Sequence, residues 1–147
     1  MTLLITHVHD RPVRILVVDD ERDNVEVLEI VLAWEGFLVG GALSGEDALR
    51  QVAATPPDLI LLDVMMPGID GYEVARRLKA TPTAHHIPII ILTAMAARDV
   101  ESRGRASGAD EVLGKPIDRT RLVEHVKKVL RSAYADYRET LACAASA

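Results

Sequence analysis

The amino-acid sequence predicts an α/β fold: a doubly wound, five-stranded parallel sheet with five helices. Five short apolar runs alternate along the chain with five segments of helical periodicity. The stronger runs are continuously apolar, which is typical of parallel strands that are covered on both faces. Of the 147 residues, 49% are apolar, enough to bury one sizeable core. We therefore expect one compact domain.

The elements follow in a regular order. The predicted strands are VRILVV (13–18), FLVGGA (37–42), LILL (59–62), IPIIIL (87–92) and the weaker EVL (111–113). The predicted helices span 22–35, 45–54, 71–80, 97–107 and 119–134. Two of these helices begin with capping-box spacing, Ser44 with Asp47 and Asp70 with Glu73. Right-handed crossovers between such βα units build one sheet, whose ligands bind at the carboxyl ends of the strands.

Charge and composition exclude several classes of partner. The net charge of -5 is spread along the chain without a Lys/Arg block, so we expect no nucleic-acid partner. No apolar stretch reaches the roughly 18 residues of a membrane helix, so we expect no membrane partner. Cys143 is the only cysteine, which excludes an internal disulfide and fits a reducing compartment. These features predict a soluble, cytoplasmic protein.

Polar residues stand where the predicted strands end. Asp19 and Asp20 end the first strand, Asp63 the third and Thr93 the fourth, while Lys115 follows the fifth. The parallel topology brings all of them to one edge of the sheet. Carboxylates gathered there repel one another unless a cation intervenes, and Mg²⁺ suits a site that combines carboxylates with phosphate.

This set of residues fits phosphoryl transfer to a carboxylate. An oxygen of Asp63 can attack phosphorus in line, while Lys115 and a metal ion neutralise the equatorial oxygens. Thr93 can donate a hydrogen bond to a phosphoryl oxygen. The expected product is an aspartyl phosphate.

Four motifs in series resemble the receiver domain of two-component response regulators. They are ILVVDDE (15–21), DLILLDVMMPGIDGYEVARRLK (58–79), PIIILTA (88–94) and GADEVLGKP (108–116). The resemblance implies a flavodoxin-like fold with strand order 2-1-3-4-5 and a receiver domain over 13–131. We expect 1–12 to be a flexible extension and 132–147 to be a helical extension or a disordered tail.

The resemblance also implies roles for individual residues. The implied Mg²⁺ ligands are Asp20, Asp63, the backbone carbonyl of Met65 and, through water, Asp19. Asp63 is the implied phosphoacceptor, Thr93 the switch hydroxyl and Lys115 the phosphate-binding lysine. By resemblance, Met65 and Met95 border the path of the attacking water, and their apolar side chains cannot orient it, which predicts slow self-dephosphorylation. The alternative is that both methionines merely pack.

One position departs from the family pattern. Receivers usually carry Tyr or Phe three residues before the lysine, and this chain has Val112. Valine lacks the ring, and its branched Cβ restricts χ1, so moving it changes little buried surface. We expect phosphorylation to be retained and aromatic-dependent coupling at Val112 to be weak or rerouted.

The first predicted helix suggests a partner surface. Its apolar arc extends past one core-facing stripe to Ile30 and Trp34. By resemblance, this helix docks on a sensor histidine kinase or a histidine phosphotransfer protein, which makes Ile30 and Trp34 candidate contacts. The alternative is a fully buried helix.

The overall expectation is a phosphorylation-dependent switch that binds a downstream protein target and is not an enzyme beyond its own phosphorylation and slow dephosphorylation. The short extensions favour a stand-alone protein, the alternative being a receiver fragment of a larger regulator or hybrid histidine kinase.

Singly, the site residues have ordinary explanations: Asp63 as a turn former, Asp20 as a helix cap, Thr93 as a strand residue and Lys115 as a solvated lysine. An aspartate-nucleophile phosphatase would need D-x-D after the first strand, where this chain has Asp19-Asp20-Glu21. A flavin-binding protein would need a hydroxyl- and Gly-rich loop there.

Overall fold

The computed structural model describes residues 2–94 and 97–143, and the elements within them follow the predicted alternation. The strands are β1 (Thr2–Val8), β2 (Arg11–Pro12), β3 (Arg14–Val18), β4 (Leu38–Ala42), β5 (Leu59–Asp63), β6 (Ile89–Thr93), β7 (Glu111–Gly114) and β8 (Arg138–Cys143). The helices are α1 (Arg22–Trp34), α2 (Gly45–Ala54), α3 (Gly71–Lys79), α4 (Ala97–Ala106) and α5 (Arg119–Ala133).

The central sheet is parallel and has five strands in the order β4-β3-β5-β6-β7. This is the predicted order 2-1-3-4-5 once β1, β2 and β8 are set aside, so the predicted fold class is confirmed. The register pairs Asp63 with Leu92 and Thr93 with Gly114. The polar residues that end these strands therefore share one edge of the sheet.

The two faces of the sheet bury separate apolar clusters. β5 and β6 are buried along their whole length, as their continuous apolar sequences predict. Residues of β3, β5 and β6 alternate between the faces: Leu16, Val18, Ile60, Leu62, Ile89 and Ile91 pack on one, and Ile15, Val17, Leu59, Leu61, Ile90 and Leu92 on the other. Each fully buried aliphatic side chain contributes about 1.5–3 kcal/mol. The site edge therefore stands on a rigid, close-packed base.

Side-chain caps start three of the helices. The Ser44 hydroxyl accepts a hydrogen bond from the backbone N–H of Asp47 at 3.1 Å, and the Asp70 carboxylate accepts one from Glu73 at 2.9 Å. Both caps were predicted from the sequence spacing. Asp118 caps α5 in the same way. Each such cap stabilises its helix by about 1 kcal/mol.

The chain ends differ from the prediction. Residues 2–8 form β1 rather than a flexible extension, and the segment after α5 turns back to form β8 rather than prolonging the helix or remaining disordered. The two strands pair antiparallel, from Thr2 opposite Cys143 to His7 opposite Arg138, and β2 adds to the other side of β1. The long partner of each end lies at the opposite end of the chain, and β2, which is near β1 in sequence, has only two residues, so local patterns did not reveal this sheet.

Polar contacts fasten the terminal sheet to the central domain. Arg11 donates two hydrogen bonds to the buried carboxylate of Asp58, at 2.7 and 2.6 Å, and Asp58 also accepts the backbone N–H of Arg14. The Tyr134 hydroxyl donates to the backbone carbonyl of Asp58 at 2.7 Å. Bidentate guanidinium–carboxylate pairs are among the stronger protein hydrogen bonds. Asp58 thus ties both chain ends to the start of β5.

Gly36 permits the close approach of β1 to the end of α1. Its φ is +86°, and a Cβ built on it would lie 2.1 Å from the backbone oxygen of Leu4. Only glycine adopts this backbone conformation without strain and leaves room for the neighbouring strand.

In the described part of the chain, none of the helices has the length and hydrophobicity that crossing a bilayer requires.

We predict that Gly36→Ala lowers the free energy of unfolding by more than about 2 kcal/mol, because it combines a positive φ with a backbone clash. Gly114→Ala is the matched control, since a Cβ there would meet nothing within 4 Å. Urea denaturation of both variants measures the difference. Equal stability of the two variants would show that β1 does not pack against α1 as described.

Candidate functional site

Three aspartates converge at the carboxyl edge of the central sheet. One carboxylate oxygen from each of Asp19, Asp20 and Asp63 lies within 4.8 Å of the others. β3 and β5 are hydrogen-bonded neighbours, so the residues at their carboxyl ends come together. Asp19 is buried, Asp63 is only 9% exposed and Asp20 is exposed. The cluster therefore has a buried floor and an open side toward solvent.

Lys115 brings a positive charge to this cluster. Its Nζ lies 3.1 Å from an Asp19 oxygen and 3.7 Å from an Asp63 oxygen. The backbone N–H of Lys115 donates to the carbonyl of Thr93 at 2.7 Å, which fixes the lysine just beyond β7. The peptide between Lys115 and Pro116 is cis. The site thus contains three carboxylates and one ammonium group in close proximity.

The environment of Asp63 favours its neutral form. Burial raises the pKa of the Asp63 carboxyl above its ordinary value, Lys115 opposes this rise, and the negative charge of Asp19 adds to it. Hydrogen bonds from the backbone N–H groups of Met65 and Val64 also lower the pKa but do not reverse the rise. Burial is therefore the main reason for the raised pKa, and an additional cation at the site would favour the ionised form of Asp63.

Asp19 is oriented by groups of the β3–α1 connection. One of its oxygens accepts the backbone N–H of Glu21 at 2.9 Å, and the other accepts the side-chain amide of Asn24 at 3.2 Å and the Lys115 ammonium. Asn24 also donates to the Glu21 carboxylate. Sequence reasoning missed Asn24, although its position five residues after Asp19, in the first turn of α1, was a usable signal.

The donor set fits a hard divalent cation. Carboxylate oxygens are the ligands that Mg²⁺ prefers, and it keeps several waters of its own, which the open side of the cluster allows. Asp19, Asp20 and Asp63 are the side chains that would hold the ion. The predicted ligand role of the Met65 carbonyl stays a prediction. The Met65 side chain itself is 62% exposed.

The remaining predicted site residues occupy different positions. Thr93 ends β6 and is buried at the same edge as Lys115. Met95 lies outside the described residues. Val112 is half-buried on β7, opposite Ile91, and packs on the cluster that contains Ile91. Its predicted weak switching role stays a prediction.

The predicted partner residues are exposed on α1. Ile30 is 61% exposed and Trp34 is 81% exposed, and Val27 continues the same stripe at 59%. The alternative of a fully buried α1 is therefore wrong. The core-facing side of the helix contains Val25 and Leu32, both buried. An apolar surface on α1 is available to another molecule.

Comparison with known protein families gives one broad match. The model of the response regulator receiver domain matches residues 15–127. Among curated proteins, response regulator PleD of Caulobacter vibrioides is 48% identical over 118 residues, which are 80% of this chain and 26% of that protein. The phosphate regulon transcriptional regulatory protein PhoB of Rhizobium meliloti is 39% identical over 128 residues, 87% of this chain and 56% of that protein. The chain thus spans about a quarter to about half the length of these relatives.

Solved structures agree with the fold. The signal receiver domain of a signal transduction histidine kinase from Syntrophus aciditrophicus is 36% identical, with a TM-score of 0.76 over 81% of this chain and 90% of that one. Chemotaxis protein CheY4 of Vibrio cholerae is 27% identical, with a TM-score of 0.76 over 80% of this chain and 98% of that one. In both, the similarity covers most of this chain.

We predict that Asp63→Asn raises the free energy of unfolding at pH 7 in EDTA by about 1 kcal/mol, seen as a Tm higher by about 2–4 °C. The raised pKa means that ionised Asp63 destabilises the fold at neutral pH. This penalty should fade as the pH falls through the raised pKa of the folded state, and it should vanish once the pH is well below the ordinary value of about 3.9, where the carboxyl is protonated in both the folded and the unfolded state. Thermal unfolding across this pH range tests it. A variant less stable than wild type at pH 7 would contradict the proposed electrostatics.

Proposed function

Because the chain belongs to the response regulator receiver domain family, we propose that it is a phosphorylation-dependent signalling switch in which Asp63 accepts the phosphoryl group. The observation that carries the proposal is the convergence of Asp19, Asp20, Asp63 and Lys115 at one edge of the sheet. A carboxylate with a raised pKa, a neighbouring ammonium and an open acidic cluster together suit phosphoryl acceptance.

In the proposed reaction an oxygen of Asp63 attacks phosphorus, and the bond between phosphorus and the donor's histidine nitrogen breaks. The imidazole leaves and takes up a proton. Lys115 moves from its contacts with the two aspartates to the oxygens of the transferred group, where its charge stabilises them. The hydroxyl of Thr93, at the end of β6, donates a hydrogen bond to one of the same oxygens. The product is an aspartyl phosphate at Asp63.

Mg²⁺ is the proposed cofactor. Asp19, Asp20, Asp63 and the carbonyl of Met65 would hold it, with Asp19 acting through water. When bound, it supplies positive charge that offsets the carboxylates and the phosphoryl oxygens. Asn24 positions Asp19 from the side and keeps its oxygens directed into the cluster.

The proposed phosphodonor is a sensor histidine kinase or a histidine phosphotransfer protein that docks on α1. Val27, Ile30 and Trp34 present an exposed apolar stripe at helical spacing, suited to packing against another helix. The proposed downstream partner is a protein that distinguishes the two states of the domain. Nucleic acid and membrane are not proposed as partners, and a cytoplasmic location is proposed.

The phosphoryl group is proposed to turn over slowly, with no catalysis beyond the domain's own phosphorylation and dephosphorylation. The Met65 side chain next to the site is apolar and exposed, so it cannot orient a water molecule for attack. Val112 lacks an aromatic ring, so movement at that position is proposed to contribute little to the switch. The proposed function is the same for a stand-alone receiver and for a receiver that is part of a larger regulator or hybrid histidine kinase.

We expect incubation with Mg²⁺ and acetyl phosphate to add one phosphoryl group to the wild-type chain and none to Asp63→Asn, because only the carboxylate can form the acyl phosphate. Intact mass spectrometry measures the addition. Lys115→Gln should reduce the rate strongly, since it removes the ammonium near Asp63. An unmodified wild-type chain, or equal modification of Asp63→Asn, would refute the proposed function.

We expect Ile30→Ala to slow phosphotransfer from the cognate donor while leaving the unfolding free energy within about 0.5 kcal/mol of wild type, because the side chain is largely exposed. Leu32→Ala is the matched control from the buried face of α1 and should cost about 2–5 kcal/mol. Stopped-flow phosphotransfer and urea denaturation separate the two effects. A large stability loss for Ile30→Ala with normal transfer would rule out the docking role.

A further inference from the structure

We infer that Tyr72 and Arg103 form the contact through which phosphorylation of Asp63 shifts α4. The inference rests on the proposed function and adds a route between the acidic site and the surface formed by α4. Three close contacts in the described structure form this route. They join the backbone of Asp63 to α3, α3 to α4, and α4 to β7.

The first contact joins Asp63 to the start of α3. A Cβ placed on Gly71 would lie 2.3 Å from the backbone oxygen of Asp63 and 2.9 Å from the Cα of Val64. The backbone N–H of Gly71 also donates to the Val64 carbonyl at 3.0 Å. The first turn of α3 therefore rests directly on the main chain of the phosphoacceptor. A displacement of that main chain is passed to α3, because packed backbone has little room to absorb it.

The second contact joins α3 to α4. Tyr72 follows Gly71 and is only 3% exposed, and the guanidinium carbon of Arg103 lies 4.5 Å from the centre of its ring. This distance is within the range of a cation–π interaction. The Tyr72 hydroxyl is buried and has no hydrogen-bond partner among the described residues. Arg103 therefore contacts the ring through its face. A shift of α4 relative to the ring breaks no hydrogen bond of the Tyr72 hydroxyl.

The third contact limits how α4 can move. A Cβ on Gly104 would lie 2.6 Å from a methyl carbon of Val112 and 3.4 Å from the end of Ile91. Val112 is therefore wedged beneath α4 at the residue next to Arg103. A stiff, β-branched side chain in this place acts as a fixed support and not as a moving part. Among the contacts of the described residues, the Arg103–Tyr72 stack is then the movable link to α4.

The experiment records ¹H–¹⁵N spectra with Mg²⁺, with and without beryllofluoride as the phosphoryl mimic. The amides of residues 64 and 65 report the site, and those of residues 101–106 report α4. In wild type both groups should shift. In Arg103→Gln and Tyr72→Leu the site amides should shift fully. The population ratio of the shifted to the unshifted state of α4 should fall about two- to fivefold, as expected for a cation–π contact of an exposed arginine.

Two variants serve as controls. Arg105→Gln removes another exposed arginine of α4, which lies near Glu101, and Tyr72→Phe keeps the ring but removes the unpartnered hydroxyl. Both should respond as wild type does. The inference is overturned if Arg103→Gln keeps the full α4 response, or if Arg105→Gln loses as much of it. If the wild-type site amides do not respond either, the proposed function fails and this inference fails with it.

Discussion

The structure depends on one electrostatic constraint, the crowding of three carboxylates at the edge of a buried parallel sheet. β3 and β5 are fixed by apolar packing on both faces, so Asp19, Asp20 and Asp63 cannot separate without disturbing the core. Lys115 is the one cation that contacts two of them among the described residues, and it leaves the pKa of Asp63 raised. The fold therefore keeps a largely buried carboxylate at this edge, and a divalent cation would stabilise its ionised form. In the proposed reaction, the same cation would also offset the charge of the phosphoryl group.

The surroundings of the site combine rigid and adjustable parts. Gly71 brings α3 against the main chain of Asp63, and Gly104 brings α4 against the side chain of Val112, so both helices pack closely at these points. The terminal sheet adds a second fixed body at the opposite end of α1, where Gly36 admits β1 and Asp58 binds Arg11. With β7 and the base of α1 held in this way, the face of Tyr72 against Arg103 is the softer boundary. We expect a structural change at Asp63 to be transmitted through α3 toward α4.

The sequence predicted the central domain well because its signals are local. The continuous apolar run before Asp63 marked a buried strand, and the spacing of Asp70 and Glu73 marked the start of α3. The terminal sheet was missed because β1 and β8 pair with each other across almost the whole length of the chain, so no local pattern indicated that pairing. The stack of Arg103 on Tyr72 was missed for a similar reason, since it depends on the relative position of two helices. Asn24 was overlooked although it lies close to Asp19, because a polar residue in a first helical turn has many ordinary explanations.

A divalent cation bound among these carboxylates should stabilise the folded chain, and the unfolding free energy as a function of Mg²⁺ concentration tests this directly. If the cation binds only the folded chain, stability should rise with the logarithm of Mg²⁺ once the dissociation constant is exceeded. Asp20→Asn should remove most of this dependence, and because Asp20 is exposed the substitution leaves the core intact. Equal unfolding free energies in EDTA and in about 10 mM Mg²⁺ would contradict the account.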